Sequence, residues 1–186
     1  MKQATLSLLW LLSCGCASSP PVRFFVLDPV APATPERIPT DHPVQLSGVR
    51  VPALLDRREL VREEAPHRLT IDPLERWGAP LADLTERVLS QDLLLRLAPG
   101  EFVLADQPPP AGSRTISVQI LEFGVDASGK VVLEGSWAIV ASGSEAAMES
   151  HHFLLSEPGV AKDAAGQARL MSALLGELAD SMVRTL

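Results

Sequence analysis

The sequence predicts a single domain of the α/β or α+β class, with a mixed β-sheet packed by two main helices. Three observations carry that prediction. Two stretches, 81–95 and 160–186, repeat apolar residues at helical spacing. Two others, 114–126 and 130–141, alternate apolar with polar or small residues on either side of a short turn. Prolines gather in the connections between such segments, with five in Asp28 to Pro43 alone. Apolar residues are 46% and charged residues 21% of the 186, a globular composition in a chain long enough to bury a core. Aromatics are only 4%, with no Tyr, so the core must be aliphatic.

The chain opens like a secretory signal. Lys2 supplies a positive charge, Ala4 to Leu12 is apolar apart from Thr5 and Ser7, and small residues follow from Ser13. That run is about half of the ~20 residues that a membrane helix needs. Both cysteines, Cys14 and Cys16, stand where cleavage would fall, which points to a lipobox and an acylated amino-terminal Cys. Leu11 three residues before Cys14 favours one register, and Gly15 immediately before Cys16 favours the other. Cys16 is the preferred site and Cys14 the alternative. A metal or redox C-x-C pair is the weaker reading, because no further Cys exists to complete a site. The expected division is a signal peptide at 1–15, an acylated tether at 16–22 and a domain at 23–186. Neither Gly15 nor Ala17 is the Asp that favours inner-membrane retention in enterobacterial sorting, so by resemblance to that system both registers permit export to the outer membrane.

Along the mature chain, "RFFVL" (Arg23 to Leu27) reads as a first strand. "VQLSGVRVP" reads as a second, with an irregularity near Gly48. "ELVREE" and "HRLTIDP" pair around Ala65-Pro66. Leu81, Leu84, Val88 and Leu95 define one face of a helix, widened by Leu89 and Leu93, with Pro80 at its start and Pro99-Gly100 at its end. "EFVLAD" is a short strand. "RTISVQILEFGVD" and "GKVVLEGSWAIVA" form a hairpin around "DASGK", and "MESHHFLLS" follows as a strand. Ala164, Ala168, Met171, Leu175, Leu178 and Met182 share a face of the last helix.

Several function classes find no support. With Lys2 removed in the leader, 23 acidic residues face 15 basic ones, a charge of −8, and no basic stripe suits nucleic acid. His151 and His152 are adjacent on a strand and point to opposite faces, while His42 and His67 lie in separate loops, so no metal site is expected. No G-x-S-x-G elbow or phosphate-binding glycine loop occurs, Ser136 in "EGSWA" is an ordinary strand residue, and the chain is not expected to be an enzyme.

Two stretches have more character. "VRVPALLDRRELV" (Val49 to Val61) leaves a strand with apolar residues and then meets Asp56-Arg57-Arg58. It is either a strand end with a solvated charged turn or a contact ledge formed by Val51, Leu54, Leu55, Asp56 and Arg57. Trp77, in "IDPLERWGAPL", is either a core plug at the start of the helix or a partly exposed interface anchor.

Together "GCASSPPVRFFVL", "VRVPALLDRRELV" and "LERWGAPLADLTERVLSQDL" resemble the PqiC/YmbA family, the ABC-type transport auxiliary lipoproteins. The lipobox, aromatic strand, "P-x-x-L-D-R" segment, Trp helix start and carboxy-terminal helix follow in the family's order. Phe24-Phe25 stand where the family usually has paired Tyr, which keeps the packing and removes two hydroxyls. The resemblance implies a non-enzymatic domain related to the TolB amino-terminal type. It further implies a lipoprotein held at the outer membrane by its acyl chains, facing the periplasm, without other cofactors. Its implied partners are an MCE-domain protein and, through it, an inner-membrane permease, in a system carrying lipid between membranes. Some members form homo-oligomeric rings. A binding module for peptidoglycan-synthesis or secretion machinery is the alternative reading.

Overall fold

The computed structural model describes residues 19–34, 36–141 and 147–186, with the side chains of Ala147 and Met148 left aside. The signal-peptide and lipidation expectations, Cys14 and Cys16 included, lie outside the described residues. In chain order the elements are β1 (Arg23–Phe25), β2 (Val44–Arg50), β3 (Glu59–Ala65), β4 (Arg68–Trp77), α1 (Leu81–Arg96), β5 (Phe102–Val103), β6 (Arg114–Val125), β7 (Val131–Ala141), β8 (Ala147–Ser156) and α2 (Ala164–Val183).

The sheet is organised on β6. One edge pairs antiparallel with β7 along the whole strand, and β7 pairs antiparallel with β8. The connecting turn is closed by Asp126, whose carboxylate accepts the N–H groups of Ser128 and Lys130 and the Ser128 hydroxyl. Those bonds, the Ser128 hydroxyl foremost, hold the Asp126 carboxyl below its ordinary range. On the other edge, β2 runs parallel to the first half of β6, and β3 meets its end where Arg62 bridges Val125. β2 and β3 are therefore successive stretches of chain along one edge, interrupted by the excursion 51–58. β4 pairs antiparallel with β3, β1 parallel with β4, and β5 parallel with β2. The anticipated irregularity near Gly48 is a bulge between Leu46 and Gly48, where φ is +139°.

Alternation explains the core. Ile116, Val118 and Ile120 on β6 and Val131, Leu133, Trp137 and Ile139 on β7 point inward beneath the helices. Gly135 continues this row without a side chain. A Cβ there would stand 2.3 Å from the Gln119 carbonyl and 2.8 Å from the ring of Phe153, its cross-strand neighbour. The six residues expected on one face of α2 are all buried.

On α1 the outcome differs from expectation at one position. Leu95 is exposed, and the buried side of the last turn consists of Asp92, Leu93 and Arg96. The cause is a polar joint between the helices. Arg96 Nε donates to Asp180 Oδ1 on α2 at 2.6 Å, and Arg96 Nη1 donates to the Val30 carbonyl at 3.0 Å. Asp92 Oδ1 accepts the Val30 N–H at 2.7 Å and lies 3.4 Å from Arg96 Nη1. Gly176 leaves room for this guanidinium, since a Cβ there would meet Arg96 Nη2 at 3.4 Å and Val30 at 3.1 Å. Burial pushes Asp92 up to about 6, against the pull of the Val30 N–H and Arg96. The joint also ties down the proline-rich connection, which is held again where Ile38 bridges Leu97.

Candidate partner-contact surface

The excursion 51–58 is shaped by its own backbone and by α1. The Pro52 carbonyl accepts the N–H groups of Leu55 at 2.8 Å and Asp56 at 3.0 Å, winding the segment into a tight turn. Asp56 Oδ1 then accepts the N–H of Ala82 at 3.1 Å, in the first turn of α1. Pro80 at the N-cap has no capping side chain, so Asp56 supplies from a distant loop the anion that a helix start favours. Arg57 Nε donates to Glu59 Oε2 at 3.1 Å, and Arg76 stands 4.0 Å from the same carboxylate. The Glu59 carboxyl is held below its ordinary range by its own backbone N–H and by Arg57.

These bonds sort the candidate contact residues. Asp56 and Arg57 serve the fold, although both remain reachable from solvent. Val51 and Leu55 are half-buried and pack against the core. Leu54 projects, with 54% of its surface exposed. Trp77 is a core plug: it is 2% exposed, its backbone N–H donates to the Arg58 carbonyl, and it pairs with Phe25 across β1 and β4. A ring so enclosed offers no surface to a partner, and the interface-anchor reading of Trp77 is corrected accordingly.

Beside Leu54 the surface falls into an open apolar cleft of about 200 Å³, between the excursion and the end of β6. Pro52, Leu54 and Leu55 form one wall, and Val61, Leu69, Leu121 and Phe123 contribute the rest. Leu121 is there because β6 bulges between Ile120 and Glu122. The extra residue shifts the alternation by one, so Phe123 and Val125 turn inward while Leu121 remains 58% exposed. Glu63 and Glu122 form an acidic rim, and partial burial together with Glu134, Glu63 and Asp126 holds the Glu122 carboxyl above its ordinary range. Leu69 and Leu121 were missed at the sequence level. The signal for Leu121 is the phase break in "ILEF" (Ile120 to Phe123), where apolar residues cease to alternate.

A second, polar groove of about 420 Å³ lies around Ser47, Arg50, Glu86, Gln119 and Ser136. His151 stacks on Trp137 at 4.3 Å between ring centroids, while His152 on the opposite face is exposed. Among the described residues no cluster of three or more His, Cys, Asp or Glu is arranged to hold a metal ion. Among them, too, no helix is long and apolar enough to cross a membrane.

Comparison with known proteins adds the family. Residues 25–183 match the family described as ABC-type transport auxiliary lipoprotein component, and the chain belongs to it. The fold is similar to that of an uncharacterised protein of known crystal structure, with a TM-score of 0.70 and 17% identity over 89% of this chain and 99% of that one. It is also similar to a Xanthomonas campestris protein of family DUF330, with a TM-score of 0.66 and 13% identity over 87% of this chain and 92% of that one. None of the curated proteins matches the chain.

Proposed function

We propose that this member of the ABC-type transport auxiliary lipoprotein family is an outer-membrane-anchored, periplasm-facing subunit of an MCE-type system moving lipid between membranes. Family membership over residues 25–183 is the observation that carries the reading. An acylated Cys16, or Cys14 in the other register, holds the domain on the bilayer, and the ledge docks the end of an MCE assembly that leads to an inner-membrane permease. The domain acts by binding, with no catalysis and no cofactor beyond its acyl chains.

Leu54, Leu69 and Leu121 supply the apolar part of the contact, with Arg57 and the acidic rim setting register around it. The cleft, about 200 Å³, lies below the ~300–1,000 Å³ of pockets that bury a drug-sized ligand, and a phospholipid is larger still. That favours a surface gripping part of a protein partner over a pocket carrying a whole lipid. Repetition of one such contact around a ring of copies is compatible with the same surface.

The test is affinity purification of the full-length protein in mild detergent, with mass spectrometry of what accompanies it. The expected result is an MCE-domain protein, with acyl mass on Cys16 or Cys14. Recovery of a peptidoglycan synthase or a secretion component in its place would transfer the domain to the alternative class. Phospholipid retained by the protein in defined ratio would instead make it a shuttle.

A further inference from the structure

A second apolar feature lies at the other end of the chain from α2, on β1 and the residues beside it. Val22, Phe24 and Val26 are 39, 63 and 48% exposed, while Phe25 packs against the core and Leu27 is fully buried. Extended chain turns alternate side chains to opposite sides, so the three exposed residues form one outward row. The fold does not need that row to be apolar. β1 is held by its parallel pairing with β4, by an ion pair between Arg23 and Glu75, and by Phe25 and Leu27 beneath it.

Phe24 and Val26 border an open cleft of about 410 Å³ whose other wall is α2, with Ala165 and Arg169 exposed on that wall and Asp28 also lining the cleft. Arg169 is exposed and makes no ion pair among the described residues. An apolar row beside a cation is the composition that settles in the boundary between lipid headgroups and acyl chains. The chain places it there. Phe24 follows Cys16 by eight residues, and extended chain covers at most ~3.5 Å per residue. β1 is thus the first element to reach any membrane that holds the anchor.

We propose that the Val22–Phe24–Val26 row is a membrane-seating face. Its three side chains dip into the acyl boundary, and Arg169 lies against lipid phosphate. The inference rests on the lipid-anchor reading above and adds to it an orientation: the domain sits on its β1 side and does not swivel freely on a tether.

Phe24→Trp tests this in the full-length protein, because position 24 is exposed and tolerates the larger ring. The variant is reconstituted into zwitterionic phosphatidylcholine vesicles, with and without bromine on the acyl chains, and the fluorescence of the parent, from its buried Trp77 and Trp137 and from Trp10 where the leader is retained, is subtracted in each lipid. Zwitterionic lipid avoids repulsion of an acidic domain. The introduced indole is expected to lose most of its emission to the brominated lipid. Leu154→Trp, at a 70% exposed site on β8, is expected to lose almost none. Equal quenching at both positions, or none at 24, overturns the proposal. Blue-shifted emission from position 24 that brominated lipid leaves untouched also overturns it, and identifies a protein surface, such as a second copy, as the occupant. The intact mass of the same sample separates the two ideas. Acyl mass with an unquenched indole at position 24 removes the seating face and keeps the anchor. Absent acyl mass removes the anchor, and with it the tether on which the face depends.

Discussion

The joint between α1 and α2 and the cleft beside Leu54 are opposites. At the joint, Arg96 and Asp92 are taken out of water inside the fold. At the cleft, Leu54 and Leu121 are left in water on its surface. Each reverses the usual partition of polar and apolar groups, and the reversals have different physical consequences. A buried guanidinium is tolerated only where every neighbour is positioned to receive it, so the joint constrains Val30, Asp92, Gly176 and Asp180 together. An exposed leucine constrains nothing around it. A fold gains little by keeping such a residue, which is why the cleft, and not the joint, is the candidate for contact with a partner.

Removing the charge from the joint should have the largest effect on stability. Arg96→Met leaves Asp92 buried without its cation and the Val30 carbonyl without its donor, and should cost about 3–5 kcal/mol in urea unfolding of the detergent-held protein. The double variant Asp92→Leu, Arg96→Met should recover much of that loss, because it removes the unpaired charge as well. Failure of the double variant to recover would mean that the hydrogen bonds to Val30, rather than charge pairing, carry the joint.

Asp92→Asn tests the same region with a smaller effect that depends on pH. The folded-state value of about 6 lies above the ordinary 3.8, so the fold binds this proton more tightly than the unfolded chain does. The resulting stabilisation is complete below 3.8 and is lost as pH rises through 6. Asn cannot titrate. Relative to the parent, the variant should therefore gain stability between pH 4 and pH 7, by up to about 3 kcal/mol. A trend of opposite sign would show that attraction to Arg96 outweighs the loss of hydration.

The smallest stability effect belongs to the cleft. Leu54→Asp should leave unfolding within about 0.5 kcal/mol of the parent, yet abolish recovery of the protein partner. Leu55 is a poorer choice, since it packs on the core and its replacement would confuse folding with binding. A Leu54→Asp protein that still brings its partner down would remove the ledge from the contact.

The strand and helix order was legible in the sequence because it depends on local periodicity. The hairpin around "DASGK", the irregularity at Gly48 and the buried face of α2 all appear where alternation or helical spacing places them. The candidate contact was only half legible. "P-A-L-L-D-R" marks the right loop, yet nothing in its spacing shows that Asp56 caps α1, that Leu55 is enclosed or that Trp77 is a plug. Leu69 from β4 and Leu121 from β6 reach the same cleft, and they do so through strand pairing and a bulge.

By itself, then, the sequence determined the class of fold, its element order and an amino terminus with the pattern of a lipoprotein signal. These follow from residues within a turn or a strand of one another. Only the tertiary structure decided which leucines face water, that Arg96 and not Leu95 completes the inner side of α1, and that two stretches of chain line one edge of β6 with the ledge between them. Such features arise where segments distant in sequence compete for the same space, and the outcome is set by packing and by the cost of burying an unpaired charge.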